Sequence, residues 1–164
     1  MAVSFNAREV LEMARQIERN GVRFYERAAG CVDQPKTAEA LLGLAEMERS
    51  HERVFAEMVG MLTSQDGPEP FFDPYGESEQ YLRALAGSRV FDMSADPVEW
   101  LGVERDAADI LRKAIGLEKD SIVFYLGIKE LVPPMMGRDR LEEIIAEEMS
   151  HIVTLTDQIN ASAG

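Results

Sequence analysis

The sequence has a single cysteine, no long apolar run, and far fewer basic than acidic residues. Cys31 alone cannot form an intrachain disulfide or supply the four thiolates of a rubredoxin-type or iron–sulfur site. No apolar stretch approaches the roughly 20 residues that a membrane-spanning helix needs. With 30 acidic and 17 basic residues, the formal net charge is −13, which disfavours binding to nucleic acids and to anionic membranes. The balance favours a cationic partner such as a metal ion.

The N-terminal sequence MAVSFNAREVLEMARQ lacks the continuous apolar segment of a signal peptide, so we expect a cytoplasmic protein. The chain has 164 residues, of which 46% are hydrophobic and 29% charged. This size and composition are typical of one globular domain, and we expect residues 1–164 to form it.

Helical periodicity dominates the sequence, and the alternation typical of strands is almost absent. Short segments rich in turn-forming residues, CVDQPK and VPPMMGR, separate the helices of each pair, which predicts two antiparallel hairpins. The four long helices are predicted at about residues 6–31, 37–62, 106–131 and 138–160. A crossover at about residues 63–105 joins the hairpins. This order predicts an all-α, ferritin-like four-helix bundle.

The predicted crossover contains Pro68, Pro70, Pro74 and Pro97, four of the seven prolines, so long helices are not expected there. The segment SEQYLRALAG is nevertheless compatible with one short helix. The aromatic residues of the crossover are interpreted as anchors that pack it onto the bundle. They are Phe71, Phe72, Phe91 and Trp100.

Two decamers, QIERNGVRFY and GLEKDSIVFY, share a pattern at an offset of 100 residues. Glu18 and Tyr25 of the first recur as Glu118 and Tyr125 of the second. The tetrapeptides ERSH and EMSH repeat at the same offset. A Glu three residues before a His places both side chains on one face of a helix, one turn apart. Each hairpin therefore supplies one lone glutamate and one Glu-x-x-His motif.

These residues fall on stripes that are otherwise apolar and that carry no lysine or arginine. Each carboxylate buried without a counter-charge would cost several kcal/mol, and the four carboxylates would repel one another. Two divalent ions would cancel four carboxylates, and mixed carboxylate and imidazole ligation suits iron or manganese. We therefore predict a dinuclear metal site. Its predicted ligands are Glu18, Glu48, His51, Glu118, Glu148 and His151.

The tyrosines at the ends of the decamers, Tyr25 and Tyr125, lie two turns after the lone glutamates on the same helix faces. Two interpretations are open: plain core packing, or phenols that donate hydrogen bonds to the ligand carboxylates. The acids that flank the stripes are expected to face solvent. They are Glu46, Glu52, Glu142 and Glu147.

The segments IERNGVRFYERAA, AEMERSHERVF, LEKDSIVFY and AEEMSHI resemble the four metal-bearing helices of the rubrerythrin-like branch of the ferritin-like superfamily. The resemblance spans nearly the whole chain and places the six predicted ligands at the family's ligand positions. It implies a non-haem di-iron centre that reacts with hydrogen peroxide or dioxygen, often in a homodimer. Because a rubredoxin module is absent from this sequence, it also implies that a separate protein donates electrons. Ser121 stands where these relatives tend to carry a further glutamate.

The leading hypothesis is therefore a di-iron oxidoreductase of the peroxidase or ferroxidase type. A second hypothesis is a protein that sequesters iron without catalytic turnover. A third is a helical interaction module in which the metal is only structural. Sequence alone does not assign which two glutamates bridge the ions.

Overall fold

The computed structural model describes most of the bundle and part of the crossover. Regular structure in these residues is helical, and bounds are defined for five α-helices and one 3-10 helix. None of these helices is both long and apolar enough to cross a membrane. The residues described are 6–62, 75, 77, 80–82, 84, 96–132 and 134–162. The helices are α1 (Ala7–Ala29), α2 (Pro35–Met61), α3 (Pro97–Trp100), α4 (Ala107–Lys129), the 3-10 helix (Pro134–Met136) and α5 (Arg138–Ser162).

The four long helices differ from the predicted ranges by no more than two residues at any end. Within the predicted short helix of the crossover, residues 80–82 and 84 are helical. The predicted anchors Phe71, Phe72 and Phe91 lie outside the described residues. The all-α, ferritin-like bundle is therefore the observed fold class.

Side chains at the helix starts explain where the helices begin. Asn6 accepts a hydrogen bond from the Glu9 amide, while the Glu9 carboxylate accepts one from the Asn6 amide, both at 2.9 Å. This reciprocal pair satisfies two amides that would otherwise lack partners. Asp106 caps α4 in a similar way, through the Asp109 amide at 2.7 Å. Gly137, with φ of 102°, turns the chain into α5 in a conformation that favours glycine.

The helices pack as two hairpins laid against each other. α1 packs on α2, and α4 packs on α5, while α1 also contacts α4 and α2 also contacts α5. The side chains of Tyr25 and Glu118 meet, and so do those of Tyr125 and Glu18. These crossed contacts show that α1 and α4 run antiparallel at the centre of the bundle.

Two apolar clusters fill the bundle. One contains Leu11, Phe55, Met58, Tyr125 and Leu141 among its buried members. The other contains Tyr25, Leu41, Leu111, Ala114 and Leu155. Among the described residues, every buried polar or charged side chain except Thr37 is a glutamate or a histidine.

The described parts of the crossover pack onto α1 and α4. α3 contacts α1, and the Arg23 guanidinium lies 2.5 Å from the Asp96 carboxylate. Trp100, a predicted anchor, packs against an apolar cluster and lies 3.8 Å beneath the Arg105 guanidinium. On α4, the Tyr81 hydroxyl donates to the Val123 carbonyl at 2.7 Å.

Gly127 allows Tyr81 to lie directly on α4. A Cβ atom at Gly127 would stand 1.9 Å from Tyr81 Cε1, whereas one at Gly116 would meet no atom within 4 Å. We expect Gly127→Ala to displace the Tyr81 ring and to destabilise the fold by about 1–3 kcal/mol. Gly116→Ala, the matched control in the same helix, should be neutral or stabilising by up to about 1 kcal/mol. Denaturant unfolding midpoints measure both, and equal midpoints for the two variants would contradict this packing.

Candidate metal centre

Six ionisable side chains converge between the apolar clusters, and each is at most 4% exposed. All six were predicted from the sequence to lie on the core stripes. α1 and α4 each contribute one glutamate, while α2 and α5 each contribute a Glu-x-x-His motif. The six are Glu18, Glu48, His51, Glu118, Glu148 and His151.

The first half of the site surrounds the Nδ1 atom of His51. Carboxylate oxygens lie 3.1 Å away in Glu148, 3.6 Å away in Glu18 and 3.8 Å away in Glu48. The ligand atoms of these four residues all lie within 4.8 Å of one another. This spacing is suitable for enclosing one metal ion.

The second half surrounds the Nδ1 atom of His151 in the same way. Oxygens of Glu148, Glu48 and Glu118 lie at 3.0, 3.4 and 3.4 Å. Glu48 and Glu148 each direct one oxygen to each histidine, so both residues belong to both four-residue groups. This geometry makes Glu48 and Glu148 the candidate bridging pair, which sequence alone did not assign.

Two buried tyrosines cross over to the lone glutamates of the opposite hairpin. The Tyr25 hydroxyl donates to Glu118, and the Tyr125 hydroxyl donates to Glu18. Burial, together with the negative charge of the partner glutamate, raises the pKa of both phenols well above the usual value. Both tyrosines therefore remain protonated donors, which favours the second of the two interpretations from sequence.

The positions one turn after the lone glutamates are small in both hairpins. A Cβ atom at Gly21 would lie 3.2 Å from Glu48 Cγ, so glycine leaves room for that carboxylate. In the second hairpin, the Ser121 hydroxyl donates to the Leu117 carbonyl at 3.1 Å. Ser121 therefore bonds within its own helix and does not join the converging group.

Comparison with known proteins agrees with this arrangement. Residues 9–86 match the family described as rubrerythrin. The whole fold is similar to the crystal structure of a Thermotoga maritima protein described as a ferritin-like diiron-carboxylate protein, with a TM-score of 0.73. The two chains are 24% identical, and the alignment covers 97% of each. The family match covers just under half of the chain, and the structural similarity shows the ferritin-like fold. None of the curated protein sequences matches it significantly.

The polar atoms of this site fit a pair of metal ions. Among the described residues, four buried side-chain atoms make no hydrogen bond: Glu18 Oε2, Glu148 Oε2, and both ring nitrogens of His151. Unsatisfied buried polar atoms are costly, and metal ions are natural partners for carboxylate oxygens and imidazole nitrogens. The donor set therefore suits a dinuclear carboxylate and histidine site.

The two histidines differ in what contacts their outer nitrogens. His51 Nε2 lies 2.6 Å from Glu147 Oε2, whereas His151 Nε2 makes no hydrogen bond among the described residues. The residue at the position equivalent to Glu147 in the first hairpin is Met47, whose thioether is a weak acceptor. The side chain of Glu147 is 51% exposed, so it was correctly expected to reach solvent, but its contact with His51 was missed. Only the approach of α5 to α2 creates that contact.

Protons balance the charge of the site in the metal-free protein. Burial, together with the charge of Glu48, raises the pKa of Glu18 and of Glu118 well above the usual value. Burial alone would also raise the pKa of Glu148, but the two nearby histidines outweigh it and bring this pKa to about 2. The lone glutamates therefore hold their protons more tightly than ordinary glutamates, while Glu148 favours its ionised form.

Nearby carboxylates reverse the usual effect of burial on the histidines. Burial would lower the pKa of His151, but Glu118 and Glu148 outweigh it and raise this pKa to about 12. Glu148 and Glu18 raise the pKa of His51 in the same way. Both histidines are thus cationic without metal, and they offset the ionised Glu48 and Glu148.

These shifts predict that the metal-free protein loses stability as the pH rises. From about pH 5 to about pH 8 the unfolded chain releases protons from glutamate and then histidine, while the folded site retains them. The low pKa of Glu148 in the folded protein also stabilises the fold. This contribution is complete once the pH exceeds the pKa of a glutamate in the unfolded chain, so it stays constant in this range. Thermal melting of chelator-treated protein should therefore give a lower Tm at about pH 8 than at about pH 5.

The double variant Glu18→Gln/Glu118→Gln serves as the control for this pH dependence. It should show a shallower fall in Tm with pH, because two of the retained protons no longer titrate. The chain has only two histidines, both in the site, so few other groups titrate in this range. An unchanged Tm across the range in the metal-free protein would mean that these side chains are solvated.

Proposed function

We propose that this chain binds two iron ions and acts as a non-haem di-iron oxidoreductase that reacts with hydrogen peroxide or dioxygen. The six converging residues are proposed as the ligands, with Glu48 and Glu148 as bridges. The observation that carries the proposal is the overlap of two four-residue groups that share those two glutamates. An arrangement with two shared carboxylates suits two ions better than one.

The burial of the site supports a small oxidant. Glu148 is fully buried and His51 is 2% exposed, so the described residues leave no opening for a bulky organic substrate. Peroxide and dioxygen are small enough to reach such a centre through fluctuations of the bundle. When bound, two ferrous ions supply one electron each, which with two protons convert hydrogen peroxide into two water molecules.

The role of the protein in this reaction is to fix donor atoms and charge. The phenols of Tyr25 and Tyr125 hold one oxygen each of Glu118 and Glu18, and thereby orient these carboxylates. A hydrogen bond from His51 Nε2 to Glu147 fixes the tautomer that leaves Nδ1 free to bind a metal ion. Electrons for repeated turnover are proposed to come from a separate protein, because Cys31 alone cannot build a four-thiolate iron site.

Metal stoichiometry tests the proposed ligands. After anaerobic reconstitution with ferrous iron, elemental analysis should find about two ions per chain. Glu118 and His151 belong to only one of the two groups. The variant Glu118→Ala/His151→Ala should therefore keep about one ion, whereas Glu143→Gln, at an exposed position on α5, should keep about two. A wild-type stoichiometry near zero, or no loss in the double variant, would refute the site.

Single-turnover oxidation then separates catalysis from sequestration. The di-ferrous protein is mixed with hydrogen peroxide or with dioxygen, and the ferric absorbance is followed by stopped flow. An oxidoreductase should oxidise both ions rapidly and return to the ferrous state with an added reductant for many cycles. If iron binds at the expected stoichiometry but is not oxidised faster than free ferrous iron, the protein sequesters iron, and the proposed activity is wrong.

The contact between Glu147 and His51 predicts two unequal metal affinities. A carboxylate that accepts a hydrogen bond from a ligand histidine typically changes metal affinity by about 10–100-fold. Glu147→Met should lower the metal affinity of the subsite that contains His51 by a factor in that range. Met47→Glu should strengthen the subsite of His151, because it adds a carboxylate at the equivalent position. Anaerobic calorimetric titration with manganese resolves the two binding steps.

The control for this pair is Glu143→Met, which removes an exposed carboxylate from the same helix without touching either histidine. It should leave both steps unchanged. Two equal binding steps in the wild type, or identical titrations for wild type and Glu147→Met, would show that the contact does not affect the metal.

A further inference from the structure

A groove of about 450 Å³ runs along the outer side of α1 and α2, and arginine side chains form most of its walls. The volume lies within the range of ligand sites, which is about 300–1,000 Å³. Four of the chain's 17 basic residues line this groove, although the protein as a whole has a net charge of −13. The lining residues are Arg19, Val22, Arg23, Arg49, Glu52 and Arg53.

Carboxylates of the chain occupy only part of the hydrogen-bonding capacity of these arginines. Arg53 is 66% exposed and lies 3.9 Å from Glu46, which Arg49 already contacts at 2.8 Å. Arg23 is 53% exposed and contacts Asp96 through Nη2 alone. Since each guanidinium carries five N–H donors, most donors of Arg23 and Arg53 have no partner among the described residues.

Two sets of ion pairs connect α1 to α2 along the groove. Glu52, the acidic residue of the lining, lies 2.9 Å from Arg15 and 3.0 Å from Arg19. Two guanidiniums therefore already balance its charge, so that it offers little opposition to an anion. Arg49 pairs with Glu26 on the other side of the groove.

These contacts align the antiparallel helices so that the four arginines form two pairs. Arg19 lies near the level of Arg53, and Arg23 lies near the level of Arg49, because a step forward along α1 corresponds to a step backward along α2. The two arginines of each helix are four residues apart, which is about 6 Å along the helix axis. The groove thus presents two arginine pairs about one helical turn apart.

The second hairpin shows that the fold does not require this groove. At an offset of 100 residues, the four arginine positions are occupied by Lys119, Val123, Met149 and Val153. Glu52 is likewise replaced by Ile152. α4 and α5 nevertheless pack against each other and carry the same residues of the metal centre. Neither helix packing nor metal ligation therefore explains why four arginines gather on the first hairpin.

The arrangement of the arginines indicates what kind of ligand fits. A guanidinium binds a phosphate or a carboxylate through two parallel N–H donors. Two arginine pairs one helical turn apart suit a ligand that carries two anionic groups at that separation. The outer phosphates of a triphosphate chain have about this spacing, whereas a single phosphate can reach only one pair.

We propose that the groove between α1 and α2 binds a short linear polyphosphate, either as the free anion or as the phosphate chain of a nucleoside triphosphate. One outer phosphate lies between Arg19 and Arg53, and the other lies between Arg23 and Arg49. The groove is on the outer side of the hairpin, whereas the converging glutamates and histidines are on its inner side. The proposal therefore does not depend on the metal ions.

Calorimetric titration of the full chain with tripolyphosphate, in buffer without free divalent ions, tests this site. One equivalent should bind per chain, and added salt should weaken the binding. Orthophosphate should bind at least about tenfold more weakly, because it loses the contacts of one arginine pair. Citrate should also bind more weakly, because its carboxylates branch from one short carbon chain. Adenosine triphosphate distinguishes the two sources: tighter binding than tripolyphosphate identifies a nucleotide, and equal or weaker binding identifies the free chain.

The variant Arg23→Gln/Arg53→Gln tests whether the groove itself binds the anion. It should weaken tripolyphosphate binding by at least about tenfold. The matched control, Arg112→Gln/Arg140→Gln, removes the same charge outside the groove and should change the constant by less than about twofold. Circular dichroism melts verify folding. Arg23→Val/Arg53→Val is a second test variant, because valine already occupies the equivalent positions of the second hairpin.

Three results would overturn the proposal. The absence of saturable tripolyphosphate binding at low salt would show that the groove does not take this ligand. Equal affinities for orthophosphate and tripolyphosphate, or for the groove variant and its control, would show a response to charge in general. The titration is repeated on chelator-treated protein, and binding that requires metal would place the phosphates at the metal centre instead.

Discussion

The fold depends on one electrostatic constraint, which is that four carboxylates can be buried together only if four positive charges, carried by protons or by metal ions, accompany them. Without metal, protons can meet this constraint, because burial raises the pKa of Glu18 and Glu118 and the nearby carboxylates raise the pKa of both histidines. Two divalent ions would meet it equally well, since they cancel four carboxylates and leave the imidazoles neutral. In both cases the polar layer between the two apolar clusters has no net charge. The apolar clusters can therefore close over it from both ends of the bundle.

The internal repeat follows from this constraint. A dinuclear site needs two similar sets of donors, and two copies of one hairpin supply them when they pack with α1 antiparallel to α4. The crossed bonds of Tyr25 to Glu118 and of Tyr125 to Glu18 join the hairpins through the same residues that build the site. Packing and ligation are thus parts of one arrangement, and a change that separates the hairpins would also open the site.

The sequence predicted the repeated parts of the structure and missed the parts that depend on contacts between hairpins. The helices and the six converging residues were predictable, because a stripe at helical spacing fixes which side chains face the core. The membership of Glu48 and Glu148 in both four-residue groups was not, because it depends on how two helices approach each other across the bundle. Glu147 was missed for the same reason, since it points away from its own stripe and reaches His51 on another helix. The replacement of Met47 by Glu147 in the second copy of the repeat was visible in the sequence, but only the structure shows that Glu147 contacts His51.

The two hairpins differ on their outer faces: ion pairs link α1 and α2, whereas α4 and α5 expose large apolar side chains, namely Val123, Leu126, Met149 and Val153. A chain built from two equivalent hairpins presents two equivalent faces, and if both were apolar, each copy could bind one neighbour on either side. Such contacts would extend into open chains of copies, because no symmetry would close them. The ionic network of Arg15, Arg19, Glu52, Glu26 and Arg49 makes one of the two faces unsuitable for apolar contact. The repeat can thus build a symmetric site inside the bundle, while the differences between the hairpins limit association outside it.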